Sequence, residues 1–157
     1  MPELTPCLWF DTEGEEAATF YTAVFPSSKI TDIARYGAGG PRPEGTVMTV
    51  AFELDGQPFL ALNGGPQYTF SEAISFVVAC ADQEEVDRYW ETLSEGGEEG
   101  PCGWLKDRFG VSWQIVPEAL PRLLADPDRE RSQRVMAAML QMKKLQIDEL
   151  EQAASLV

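Results

Sequence analysis

Apolar residues fill VMTVAFEL, residues 47–54, broken only by Thr49 and Glu53, and an extended apolar run resumes in PFLAL, residues 58–62. Short apolar runs with β-branched and aromatic residues, bounded by turn residues, read as strands. Asp55-Gly56 separates the two runs, so they read as a β-hairpin closed by a tight turn that tolerates positive φ. The hairpin ends in Asn63-Gly64-Gly65. Shorter extended runs lie at PCLWF and at residues 30–36. Between them, DTEGEEAATFYTAVFP has the pattern of a helix whose first turn carries acids, where they complement the helix dipole.

The second half repeats this layout. ADQEEVDRYWETLSEGG matches the first helix at a constant offset of 69, from Glu15-Glu16 to Glu84-Glu85 and from Phe20-Tyr21 to Tyr89-Trp90. AISFVVAC precedes it as PCLWF precedes the first. CGWLKDRFGVSWQIV follows as strand, turn at 107–110 and strand at 111–116; GGEEGPCG offers only a weak strand. Each half therefore reads β-α-β-β-β. The expected class is α+β, with paired βαβββ modules forming curled mixed sheets and helices at the C-terminus. The expected boundaries are 1–66, 67–117 and a helical extension at 118–157, within one structural domain. In that extension, PEALPRLLAD reads as a short helix and Asp126-Pro127 as the next start, with a cap and a first-turn proline. From Arg129 to about Leu145, the residues Val135, Met136, Met139, Met142 and Leu145 recur on one helical face. That face suits packing against its own domain or a methionine-rich subunit contact.

Composition removes several function classes. The net charge of −14, with no dense basic cluster, opposes binding to nucleic acid or anionic lipid. No apolar run reaches the roughly 20 residues of a membrane helix. MPELTPCLWFD has neither the basic start nor the apolar stretch of a secretory signal, so the expected location is the cytoplasm. Cys7, Cys80 and Cys102 form an odd set without CxxC spacing and read as reduced thiols rather than disulfide or zinc ligands. With no histidine in the chain, imidazole-based catalysis and imidazole metal sites are impossible.

Taken together, LWFD, EEAATFY, VFP, VMTVAFELDG, ALNGG and EEVDRYWETLSEGGEE followed by CGWLKDRFGVSWQIVP resemble the vicinal-oxygen-chelate superfamily, the fold of glyoxalases, bleomycin-resistance proteins and extradiol dioxygenases. The resemblance is greatest to its PhnB-like branch, whose members often carry the label demethylubiquinone methyltransferase, and it covers roughly residues 3 to 147. It implies a sheet from each module curling around a cavity, usually completed in a homodimer. In metal-dependent members, four inward strand positions hold His or Glu. Here those positions fall near Leu4 or Thr5, at Leu60 or Ala61, near Ser75 or Phe76, and at Gln114. None offers an imidazole or a carboxylate, so neither metal nor other cofactor is expected.

The candidate ligand-binding residues are Gln114, Asn63, Trp9, Ser75 and Trp104. Gln114 stands where a glutamate ligand belongs in the resemblance, on a strand alternating apolar and polar positions; a half-buried strand facing solvent would show the same pattern. Asn63 ends the hairpin beside two glycines that permit close backbone approach, although asparagine also caps turns. Trp9 and Trp104 are of a type more often found in the core, but they also suit a platform for a neutral organic ligand. No catalytic residue is assigned. The leading expectation is a metal-free binding protein for an apolar or aromatic small molecule. A methyltransferase, lyase or isomerase is the enzymatic alternative, and an interaction protein with an empty cavity is a third. Against a methyltransferase, GAGGP and NGG follow strands without a helix immediately after, unlike a nucleotide-binding turn.

Overall fold

The computed structural model describes residues 2–156. Two compact units divide between Phe70 and Ser71. Phe70 stays with the first unit through an edge contact with Phe10, ring centroids 5.2 Å apart.

The first unit contains β1 (Cys7–Phe10), α1 (Gly14–Val24), β2 (Lys29–Arg35), β3 (Val47–Leu54) and β4 (Gln57–Asn63). Its sheet order is β1-β4-β3-β2, with β1 parallel to β4 and the other pairs antiparallel. The Asp55-Gly56 turn forms as the sequence predicts, with φ values of 47° and 84°. Alternation decides the faces. Leu8, Phe10, Val50, Phe52, Phe59 and Ala61 are buried, and α1 covers their side of the sheet with Ala17, Ala18 and Tyr21. Two alanines at the contact let the helix sit close to the strands, and Phe52 stacks on Phe59 at 5.4 Å.

The second unit repeats the arrangement with β5 (Phe76–Cys80), α2 (Gln83–Ser94), β6 (Glu98–Glu99), β7 (Trp104–Lys106) and β8 (Ser112–Pro117). Its order, β5-β8-β7-β6, again places the first and last strands of the module side by side and parallel. The duplication is therefore structural as well as sequential. The weak strand in GGEEGPCG is real but only two residues long. Val86, Tyr89, Trp90 and Leu93 of α2 are buried, as are Leu105, Trp113 and Ile115 on the facing side of the sheet.

Three helices follow in the same unit: α3 (Ala119–Leu124), α4 (Arg129–Met139) and α5 (Ile147–Ser155). Two expectations need correction. The cap of α4 is Asp128, whose carboxylate accepts from the Glu130 and Arg131 amides; Asp126 instead accepts from the Asp128 amide. The helix also stops at Met139 rather than continuing to Leu145. The Met142 and Lys143 carbonyls accept hydrogen bonds from the Cys102 and Gly103 amides, each at 2.8 Å, so they pair with the rim of the second sheet instead of extending the helical ladder. Leu145 is thereby driven into the core with Leu120, Val135, Leu150 and Ala154. Met139 and Met142 pack against that cluster, while Met136 stays exposed. Of the two readings of the methionine face, packing against its own unit accounts for Met139 and Met142.

Candidate functional site

The α2-free face of the second sheet carries a hollow of about 520 Å³. Its lining includes Glu72, Glu98, Glu99, Trp104, Lys106 and Ser112, with the loop at 100–102 as its rim. Register explains the grouping. Lys106 pairs with Ser112 and Trp104 with Gln114, so all four side chains share one face, while Leu105 and Trp113 turn to the α2 side.

The turn between β7 and β8 is fixed by a buried carboxylate. Asp107 accepts from the Phe109 and Val111 amides at 2.8 and 3.1 Å, and from the Trp113 indole N–H at 2.8 Å. These bonds set where β8 begins and therefore where Ser112 stands. Ser112 is only 1% exposed. Its hydroxyl has no hydrogen-bond partner. Burying a hydroxyl unpaired disfavours the folded state, and such groups are few in native proteins.

At the rim, Lys106 forms an ion pair with Glu72, and Glu98 is the register partner of Lys106. The hydrogen bond and charge of Lys106 hold the Glu72 carboxyl below the usual range, and Glu72 correspondingly raises the Lys106 ammonium. Both side chains reach solvent, so the pair orients the rim without contributing much stability.

The candidate residues from the sequence separate into two groups. In the second unit, the Gln114 amide donates to the Ser75 hydroxyl at 2.9 Å, and Gln114 stands beside Trp104. Of these three, only Trp104 lines the hollow. In the first unit, Asn63 is buried and both polar atoms of its side chain are hydrogen-bonded. Its Oδ1 accepts from the Gly14 amide at 2.8 Å, and its Nδ2 donates to the Val47 carbonyl at 3.2 Å. The Tyr36 hydroxyl donates to its main-chain carbonyl at 2.6 Å. Asn63 thus anchors the start of α1, not the turn that follows it. Trp9 donates its indole N–H to the Gly65 carbonyl at 2.9 Å and meets Tyr68 edge-on at 5.0 Å. Its ring lies where a Gly64 side chain would begin, which is why a glycine is required there.

Ser112, Lys106, Glu72 and Glu98 were not singled out from the sequence. For Ser112 a signal existed: VSWQIV places it two residues from Gln114, on the same face of an otherwise apolar strand.

The donor set does not suit the metal that the fold often carries. Gln114 bonds Ser75, Leu60 and Phe76 are apolar, and Leu4 precedes β1 and is exposed. Among the described residues no group of three or more Cys, Asp, Glu or His could hold an ion. The thiols are all unpaired. Burial, with Glu85 adding to it, pushes the Cys80 thiol up to about 11, which makes it a poor nucleophile.

The family model described as 3-demethylubiquinone-9 3-methyltransferase matches residues 2–116. Among solved structures, a PhnB protein from Bacillus cereus shares 36% identity over 74% of this chain and 99% of its own, with a TM-score of 0.66. A protein from Pseudomonas aeruginosa shares 20% identity over 75% of this chain and 98% of its own, at a TM-score of 0.63. A fosfomycin resistance protein from Listeria monocytogenes shares 13% identity over 74% of this chain and 93% of its own, at 0.51. The last two likenesses concern the fold alone. No curated protein matches the chain. No described helix is long and apolar enough to cross a membrane. The duplicated βαβββ modules and these matches show that the chain belongs to the family described as 3-demethylubiquinone-9 3-methyltransferase, as a PhnB-like member of the vicinal-oxygen-chelate superfamily.

Proposed function

We propose that the chain is a small-molecule-binding protein that works without a resident metal and takes an aromatic or largely apolar organic ligand in the hollow of its second sheet. The observation that carries this reading is Ser112: its hydroxyl is buried without a partner, and the residue borders a hollow that also presents Trp104. A ligand polar group would satisfy that hydroxyl while its ring covers the indole, the usual division of labour in such sites. A homodimer in the cytoplasm suits the reading. Val77, 60% exposed on the open face of β5, and Ile74 beside it would be covered by a second copy, and the three unpaired thiols suit a reducing compartment.

The family description also names methyl transfer. The local geometry gives it little support: the strand-to-helix turns are Asp11-Thr12-Glu13 and Ala81-Asp82, acidic and free of glycine, and the first amide of α1 is already taken by Asn63. The test is thermal unfolding against a panel of neutral aromatics, quinones and S-adenosylmethionine. The binding reading expects a concentration-dependent rise in Tm with aromatic compounds. A rise with S-adenosylmethionine alone, accompanied by methyl transfer to a quinol, would replace it.

A further inference from the structure

The turn at 101–104, which joins β6 to β7, borders the hollow through Pro101, Cys102 and Trp104. The Trp104 amide donates to the Pro101 carbonyl at 3.0 Å, and the two residues between them both have positive φ, 57° at Cys102 and 85° at Gly103. Turns of this kind favour Asn-Gly or Asp-Gly, because any other side chain at the first central position is strained. Cys102 is therefore held in the left-handed region from outside the turn, and the C-terminal extension does it. The Met142 and Lys143 carbonyls accept from the Cys102 and Gly103 amides, and the Leu145 side chain comes within 3.0 Å of where a β-carbon on residue 103 would stand.

This strap is itself pinned on the α2 side of the unit. Gln83, the first residue of α2, donates to the Leu145 carbonyl at 3.0 Å and accepts from the Ile147 amide at 2.8 Å, while Lys144 pairs with Asp87 at 2.9 Å. The strap lies beyond residue 116, where the match to the family model stops. On the premise that the hollow binds a small molecule, we propose that Gln83 is a positioning residue for it: through the strap at 142–147, Gln83 holds the 101–104 turn in its left-handed form and keeps the border of the hollow preorganised. Without the strap, Cys102 relaxes toward negative φ, and a ligand must restore the strained form as it binds. That ordering cost weakens binding although Gln83 touches no ligand.

The test is a double-mutant cycle on the full chain, read by calorimetric titration with 1-naphthylmethanol and by amide hydrogen exchange. Gln83→Ala releases the strap, and Cys102→Asn gives the turn an Asn-Gly pair that adopts positive φ unaided. Gln83→Ala is expected to weaken binding about fivefold in the parent chain and less than about twofold in the Cys102→Asn background. In Gln83→Ala the Cys102 and Gly103 amides should exchange about tenfold faster, while the Asp107 amide, bonded to the Val111 carbonyl in the same unit, keeps its rate and reports an intact fold. Unchanged exchange at 102 and 103, or an equal acceleration at Asp107, would overturn the strap. Unchanged affinity, or an equal loss in both backgrounds, would overturn the positioning role and leave the binding function standing. Failure of the parent chain to bind the probe would overturn both.

Discussion

The two modules share one strand order and one helix position, yet each holds the start of its helix by different means. In the first, the N-cap residue Glu13 makes no side-chain cap, and the Gly14 amide is satisfied by Asn63, 49 residues away at the end of β4. In the second, Asp82 caps α2 locally by accepting from the Glu85 amide at 2.9 Å, and Glu85 reaches back to the Ala81 amide at 2.8 Å. The open faces differ as well. Beside Trp9, the first sheet presents Thr49, Ala51, Leu60 and Leu62, whereas the second presents Ser112, Gln114 and Lys106 with Trp104 and Val77. A duplicated scaffold has thus kept its hydrogen-bonded frame and let two features diverge: how the helix is anchored, and what the uncovered face offers a ligand. The first unit uses Asn63 internally, and the second leaves the Ser112 hydroxyl unpaired.

This contrast can be broken by substitution, beginning with the anchors. Asn63→Ala should destabilise the protein by about 3 kcal/mol, since it deletes one buried and one partly buried hydrogen bond and leaves the Gly14 amide without a partner. Urea unfolding would measure it, and a loss no larger than that of a surface cap would contradict the anchoring role. Gly14→Ala attacks the same joint from the helix side. An added Cβ would lie 2.6 Å from Asn63 Oδ1 and 3.3 Å from the Ala61 side chain, so a loss of about 2 kcal/mol is expected from overpacking. Asp82→Ala in the second module should cost only about 1 kcal/mol, the ordinary value for a local helix cap. The ratio of the Asn63 and Asp82 effects is the sharpest form of the comparison.

The smallest expected effect is a pH dependence within the second unit. Gln83 and Lys144 together hold the Asp87 carboxyl below its ordinary range, the Gln83 hydrogen bond being the larger influence. A carboxyl depressed in the folded state contributes stability above its unfolded value and loses it as pH falls through the folded one. The contribution is therefore complete at neutral pH and disappears in acid, below about pH 4. Asp87→Asn should flatten that part of the acid unfolding profile; an unchanged profile would mean that the contact is silent.

The paired modules were legible because a local pattern dictates them. Short runs of β-branched and aromatic residues mark β3 and β4, the Asp55-Gly56 pair closes their hairpin, and the Glu-Glu pairs mark two helix starts at equal spacing. What escaped local reading depends on partners distant in sequence. The helix expected to reach Leu145 ends at Met139 because Cys102 and Gly103 claim the carbonyls of Met142 and Lys143, about 40 residues away along the chain. Asn63 shows the same limit. Its type and its place beside two glycines suit a turn, and only the return of β4 alongside β1 brings it to Gly14. Gln114 and Ser75 were recognisable as polar positions on or beside strands, but their mutual hydrogen bond arises from the parallel pairing of β5 with β8. The hollow itself combines side chains from Glu72 to Ser112, and no single segment contains its outline.

Ser112 is where the binding account is most exposed. Comparative thermal unfolding of the parent chain and Ser112→Ala, with and without 1-naphthylmethanol, tests it in one experiment. A hydroxyl retained for a ligand burdens the empty protein, so the variant should be the more stable of the two without ligand, by about 1 kcal/mol, and should show a smaller ligand-induced rise in Tm. A variant less stable than the parent, with an undiminished response to the alcohol, would show that Ser112 serves the fold and that the hollow is not the binding site.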